Sequence, residues 1–206
     1  MHHFKAKDLT DKQMYKFLSG SIIPRPIAWI TTQNPETKIV NAAPFSFFSA
    51  VSNVSPLLTI AILRNGGKIK DSAKNLLSGK QGVVHIVSEE LVEEMNKTSA
   101  PLPDTESEID LTSLTLTESH SVSVPAIKEA KIRMEVTLHQ YVPVMDDEGN
   151  VITDLFILQA NEFYFDDSVF DEEKQYVLAD QLKPVARLAG NEYATIGDIY
   201  SINRPK

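Results

Sequence analysis

Short apolar runs, many alternating with polar residues, dominate the hydrophobic pattern of this 206-residue chain. Ile27–Thr31 (IAWIT) and Leu57–Leu63 (LLTIAIL) read as buried strands bracketing a polar and aromatic stretch, NAAPFSFFSAVSN, that reads as a loop from Asn41 to Asn53. Val83–Val87, Lys131–Tyr141 and Val151–Phe165 read as further strands; in the second, Ile132, Met134, Val136 and Leu138 share one face by their period of two. Gln33–Lys38 is a turn-rich loop before a return strand beginning at Ile39–Val40, and Asp146–Asn150 is a polar hairpin turn.

Four segments carry helical signals. Lys7–Leu18 places Leu9, Met14, Phe17 and Leu18 at amphipathic spacing with Thr10 as N-cap. A second helix, capped by Asp71 or Ser72, runs to Leu77 and is ended by Gly79; a third, SEELVEEMNKTS, is capped by Ser88; a fourth spans Glu172–Leu182. Pro24 and Pro26 hold Arg25 extended ahead of the first strand. Ala100–Ser121 is a Pro-, Ser- and Thr-rich connection long enough to be a lid, a dimer arm or a functional loop. Pro184–Leu188 and Tyr193–Ile202 look like a closing segment. Many short strands with few short helices predict a closed antiparallel barrel.

Length and composition fit one core, so residues 1–206 are expected to form a single domain. No apolar run is long enough for a transmembrane helix, and the N-terminal MHHFKAKDLTDKQM has no signal-peptide core. A net charge of −8 argues against nucleic acid, because phosphate backbones demand clustered Lys and Arg. With no cysteine there is no disulfide framework or thiolate chemistry, and a cytoplasmic location is expected. The histidines show no metal-ligand spacing, no Ser-His-Asp arrangement can be argued, and no dinucleotide-binding glycine fingerprint is present.

The Asn41–Asn53 stretch holds the candidate chemistry. Its small residues Ala42, Ala43, Ser46, Ser49 and Ser52 let backbone approach a ligand, while Phe45, Phe47 and Phe48 offer flat apolar surface. A flat cofactor with an anionic tail suits that combination. Read by themselves, the phenylalanines are barrel core, Lys70 is a solvated lysine and Asp71-Ser72 is a helix cap.

In order along the chain, IIPRPIAWITT, NAAPFSFFSAVS, SPLLTIAI, KDSAKNL, VSEELVEEMNKTSAP, VPAIKEA and LKPVARLAGNEYATIGDIYSINRP resemble the flavin reductase-like family of FMN-binding split β-barrels, in its flavoredoxin-like branch. The resemblance implies a mainly β fold, an antiparallel split (Greek-key) β-barrel with a few short α-helices, and a homodimer with flavin near the subunit interface. It implies FMN as cofactor. Lys70 and Ser72 would hold the phosphate, with Arg64 as a second charge; Ser46 and Ser52, with backbone from Asn41 and Ala42 through Ala43, Pro44, Phe45 and Phe47 to Phe48, would meet phosphate, ribityl chain and ring edge. Ala28, Trp29, Ile30, Thr31 and Thr32 would lie along the ring, with Asn96, Thr98, Ser99 and Tyr193 approaching from elsewhere. No side chain is assigned as catalytic, because hydride chemistry belongs to the cofactor.

Departures from the family pattern shape the expected activity. Where many of its short flavin reductases carry Gly-Asp-His, this chain has Thr153-Asp154-Leu155, without the histidine implicated near the nicotinamide. His85 stands where the branch often has asparagine and is expected to act in the core or at an interface. The implied function is an oxidoreductase moving electrons between NAD(P)H and flavin or another acceptor. The alternative is an electron carrier with no NAD(P)H activity.

Overall fold

The structure, a computed structural model, describes residues 1–205. In chain order its strands are β1 (Arg25–Pro26), β2 (Ala28–Gln33), β3 (Val40–Phe45), β4 (Phe48–Ala50), β5 (Leu57–Leu63), β6 (Gln81–Ile86) and β7 (Leu116–Thr117). There follow β8 (Ala126–Ile127), β9 (Ile132–Met145), β10 (Val151–Phe165), β11 (Phe170–Asp171), β12 (Tyr176–Val177), β13 (Val185–Arg187) and β14 (Tyr193–Thr195). The helices are α1 (Asp11–Ser21), α2 (Asp71–Gly79), α3 (Val92–Lys97) and α4 (Ala179–Leu182).

The main sheet is antiparallel, in the order β3-β2-β6-β9-β10-β5-β4. Its two edge strands, β3 and β4, are joined by only Ser46 and Phe47. So short a link between opposite edges forces the sheet to curl until the edges meet. No ladder joins β3 to β4 among the described residues, so the barrel stays split along that seam. The mainly β split barrel expected from the sequence is the fold observed.

Inside the curl, Ala28, Ile30, Phe45, Ile60, Ile62, Met134, Val136, Phe156 and Leu158 form the largest core, which α2 closes with Ala73 and Leu76. The outer face of β2 is covered as well: Trp29 packs with Ala42, Leu91, Met95, Ile109, Ile127 and Val185. Burial on both faces explains why β2 reads as a continuous apolar run.

His85 staples this outer layer. Its Nδ1 lies 2.9 Å from the Trp29 carbonyl, and the Ile127 N–H donates to Nε2 at 2.9 Å. Those partners fix the neutral tautomer with the proton on Nδ1. Burial holds its pKa at about 4. The structural role expected for His85 is the one it occupies.

Several expected elements differ. The Asn41–Asn53 stretch is not one loop: β3 pairs with β2 from Val40 to Phe45, and Phe48–Ala50 pairs with β5. Its Ala42 lets the outer layer pack closely on the sheet, and Pro44 is tolerated because β3 is an edge. The helix expected over Lys7–Leu18 begins after Thr10, which forms a capping box with Gln13, and continues to Ser21. The segment after Ser88 starts as a 3-10 turn over Glu89–Leu91 before α3. Glu172–Leu182 is a hairpin followed by the short α4, because the Asp171 carboxylate accepts from Lys174 N–H and Gln175 turns left-handed at φ 54°. Of Tyr193–Ile202, only Tyr193–Thr195 is strand. The long connection carries a 3-10 turn (Glu108–Leu111) and β7, and lies over β2 and β3.

Candidate functional site

A cleft of about 540 Å³ opens at the barrel seam, within the roughly 300–1,000 Å³ common for small-molecule sites. One wall comes from the seam itself, with Ile27, Pro44 and Ser46. The opposite wall is α3 and the chain just after it, with Met95, Asn96 and Ser99. Arg187, Asn191 and Tyr193 close one end, and Tyr15 of α1 leans over it. Five of the expected residues, Pro44, Ser46, Asn96, Ser99 and Tyr193, therefore share one cavity.

A hydrogen-bonded chain sets the polar wall. Arg187 Nη1 donates to the Tyr193 hydroxyl at 2.5 Å, and Tyr193 donates to Asn96 Oδ1 at 3.1 Å. The Arg187 guanidinium also lies 4.6 Å from the Tyr193 ring centroid. Across the cleft, Arg25 Nε donates to Ser46 Oγ at 3.4 Å, and its guanidinium lies 6.0 Å from the Phe47 ring centroid.

The Lys70 corner lies against β3 but outside the lining of that cleft. Lys70 Nζ stands 5.6 Å from the Phe45 ring centroid, and Asn75 of α2 donates to Asn41 Oδ1 at 2.8 Å and to Thr32 Oγ1 at 3.2 Å. The Asn41–Phe45 strand and the start of α2 therefore touch. Lys70 is exposed, joins no ion pair among the described residues, and as N-cap of α2 makes no side-chain cap bond. An uncapped helix start beside an unpaired ammonium fits an anionic phosphate. The Ser72 side chain there is almost wholly buried.

Other expected residues lie elsewhere. Ala28, Ile30 and Phe45 face the barrel core, Ala42 and Trp29 the outer layer, and Trp29 Nε1 donates to Thr98 Oγ1 at 2.9 Å. Thr31 and Thr32 are buried, Thr31 donating to the Pro125 carbonyl. Ala43, Phe47 and Phe48 are half-buried at the seam. Exposed Ser52 turns its own loop by accepting from Val54 and Ser55 N–H. Arg64 is taken by Asp154, which it binds through two N–H groups at 2.9 and 2.7 Å. Burial pushes the Asp154 carboxyl up, but Arg64 and Tyr141 together hold it below the usual range. The phosphate charge expected of Arg64 is thus already neutralised.

Sequence reading passed over Arg25 and Arg187 as site residues, and Glu108 altogether. Glu108 accepts from Ala42 N–H at 3.1 Å and from Asn41 Nδ2 at 3.3 Å, tying the long connection to β3; burial pushes its pKa up. An unusual arginine between two prolines was the one available signal.

The fold is thus a split antiparallel β-barrel with a polar cleft at its seam. The chain belongs to the flavin reductase-like family, whose model, described as a flavin reductase like domain, matches residues 19–184. It is 45% identical over 205 residues to the uncharacterized protein YwrF of Bacillus subtilis, covering 100% of both chains. Among solved structures it is similar to nitrilotriacetate monooxygenase component B from Bacillus cereus (38% identity, TM-score 0.94, 98% of each chain). It is also similar to 2-nitrobenzoate 2-nitroreductase NbaA of Pseudomonas fluorescens (31% identity, TM-score 0.88, 99% of this chain and 96% of that one). No helix among the described residues is long and apolar enough to cross a membrane.

Proposed function

We propose that this chain is an FMN-dependent oxidoreductase that takes electrons from NAD(P)H and delivers them to free flavin or another small acceptor. The observation that supports the reading is an open polar cleft lined by Pro44 and Ser46 at the barrel seam, with the unpaired Lys70 at the bare start of α2 against Phe45 of the same edge strand. Family membership supports the flavin, and two relatives named for a monooxygenase component and a nitroreductase support redox chemistry. When bound, flavin supplies hydride acceptance and electron release.

The chain's residues divide the remaining work. Lys70 and the first N–H groups of α2 would hold the phosphate, with Ser72 behind them. The Ala42–Phe48 backbone and Ser46 would meet the ribityl chain and ring edge, with half-buried Phe47 and Phe48 keeping water from that side. Asn96, Ser99 and Tyr193 would form the opposite wall, which their hydrogen bonds pre-organise. We infer a homodimer acting in the cytoplasm; exposed Ile196, Ile199, Tyr200 and Ile202 of the closing segment support its cover by a second copy.

The alternative is a flavin-carrying electron carrier with no NAD(P)H activity of its own, which the Thr153-Asp154-Leu155 stretch without a histidine supports. Steady-state oxidation of NADH and NADPH with added FMN separates the two readings, and turnover is the expected result. A yellow protein inert to both nucleotides supports the carrier. A protein that stays colourless after incubation with FMN defeats both. Lys70→Ala combined with Ser72→Ala is expected to weaken FMN binding far more than it lowers the apoprotein melting temperature. The opposite pattern, stability lost with FMN affinity intact, would remove the phosphate role.

A further inference from the structure

Arg25 and Arg187 stand directly opposite each other in the β1–β13 ladder. Like charges so placed repel, and a fold with no use for both would be better served by one neutral residue. Neither arginine joins an ion pair among the described residues, although the chain carries 28 acidic side chains against 20 basic ones.

The two charges are handled differently. Arg25 is 4% exposed and donates to the carbonyls of Ser19, Ile22 and Leu188, so it closes the C-terminal end of α1, where the helix dipole is negative. That geometry accounts for Arg25. It does not account for Arg187, whose guanidinium is half-buried in the cleft wall and donates only to the Tyr193 hydroxyl and the Gly190 carbonyl. A guanidinium carries five N–H donors, so this one keeps others for a ligand. Stacking on Tyr193 holds its plane, and the β1 arginine behind it adds positive potential.

We propose that Arg187, with Tyr193, Asn96 and Ser99, forms an anion subsite for the second ligand of the cleft, separate from the Lys70 corner. A planar fork beside a phenol and an amide suits two oxygens of one carboxylate or of a phosphate group. That chemistry has two sources: the pyrophosphate of a dinucleotide reductant, or the carboxylate of an aromatic acceptor. The proposal rests on the reading above, which gives the flavin phosphate the Lys70 corner and the flavin the Asn96, Ser99 and Tyr193 wall, so that those three groups face both ligands.

The test is calorimetric titration of inorganic pyrophosphate, and separately of benzoate, into FMN-loaded protein. At least one anion is expected to bind at a single site with FMN in place. Arg187→Gln is expected to weaken it about 10-fold or more, as removal of a charge-assisted pair does, while FMN affinity read by fluorescence titration falls by much less. Arg187→Lys, which keeps the charge and much of the stem, is expected to bind at an intermediate level and guards against a folding defect. Pyrophosphate binding with a raised KM for NAD(P)H in Arg187→Gln identifies the nucleotide as the source. Benzoate binding with an unchanged nucleotide KM identifies the acceptor. The subsite is overturned if neither anion binds, if Arg187→Gln binds as wild type does, or if FMN displaces the anion. A wild-type protein that binds no FMN yet binds an anion through Arg187 would sink the flavin reading and leave the subsite standing.

Discussion

Acidification should strip stability from this protein through a single imidazole. His85 is fully buried, with its Nδ1 proton on the Trp29 carbonyl and its Nε2 lone pair on the Ile127 N–H. A second ring proton has no acceptor there and would confront that N–H. Burial lowers the folded pKa from 6.5 to about 4. The unfolded chain therefore binds a proton that the folded chain refuses, and stability falls as pH falls. The contribution is whole above pH 6.5, declines towards pH 4 and is gone below it. From that shift, about 2 kcal/mol is lost at pH 5 and about 3 kcal/mol below pH 4. The assay is urea denaturation of wild type and His85→Gln at about pH 7.5 and pH 5. A glutamine amide offers the same donor and acceptor but does not titrate. Wild type should lose about 2 kcal/mol more than the variant over that interval. Other groups, Glu108 among them, titrate alike in both proteins and cancel in the difference. Equal losses would refute the reasoning, as would an NMR spectrum showing the His85 proton on Nε2.

Two further outcomes test how the barrel is held. A Cβ on Gly82 would lie 3.0 Å from the Thr31 carbonyl oxygen and 3.2 Å from Ile30 Cδ1. Gly82→Ala is therefore expected to cost about 1–3 kcal/mol in chemical denaturation, and a neutral result would show that β2 yields more easily than its two-sided burial implies. Arg64→Met should lower the melting temperature by leaving the Asp154 carboxylate without its bidentate partner, yet leave FMN affinity unchanged. A fall in FMN affinity with stability intact would return Arg64 to the phosphate.

What could be read from the sequence followed the strength of the local signal. The alternation in Ile132–Leu138 and the apolar run in Leu57–Leu63 fixed strands because each reports directly on burial. Asn41–Ala50 misled because small residues, serines and a proline are turn-formers by propensity. They are also what a crowded edge strand needs, and only the tertiary layer of Trp29, Leu91 and Met95 shows that crowding. Glu172–Leu182 failed in the other direction: helix-forming residues lost to a hydrogen bond from the Lys174 N–H to the Asp171 carboxylate that closes a tighter turn.

Site residues were legible only in part, for a related reason. Ser46, Asn96 and Tyr193 were candidates because the family motif names them, yet nothing local says that they line one cleft. Their meeting follows from topology. Ser46 and Phe47 must bridge opposite edges of a seven-stranded sheet, so the seam lies at that link, and whatever packs on the outer face of β2 borders it. Met95 packs there, which brings the Asn96 and Ser99 that follow it to the same opening. Arg187 arrives by a different register, the pairing of β13 with β1. A ladder between the two ends of a chain leaves no trace in either segment alone. The cleft is therefore a consequence of barrel closure, and its chemistry is set by which strand ends that closure brings together.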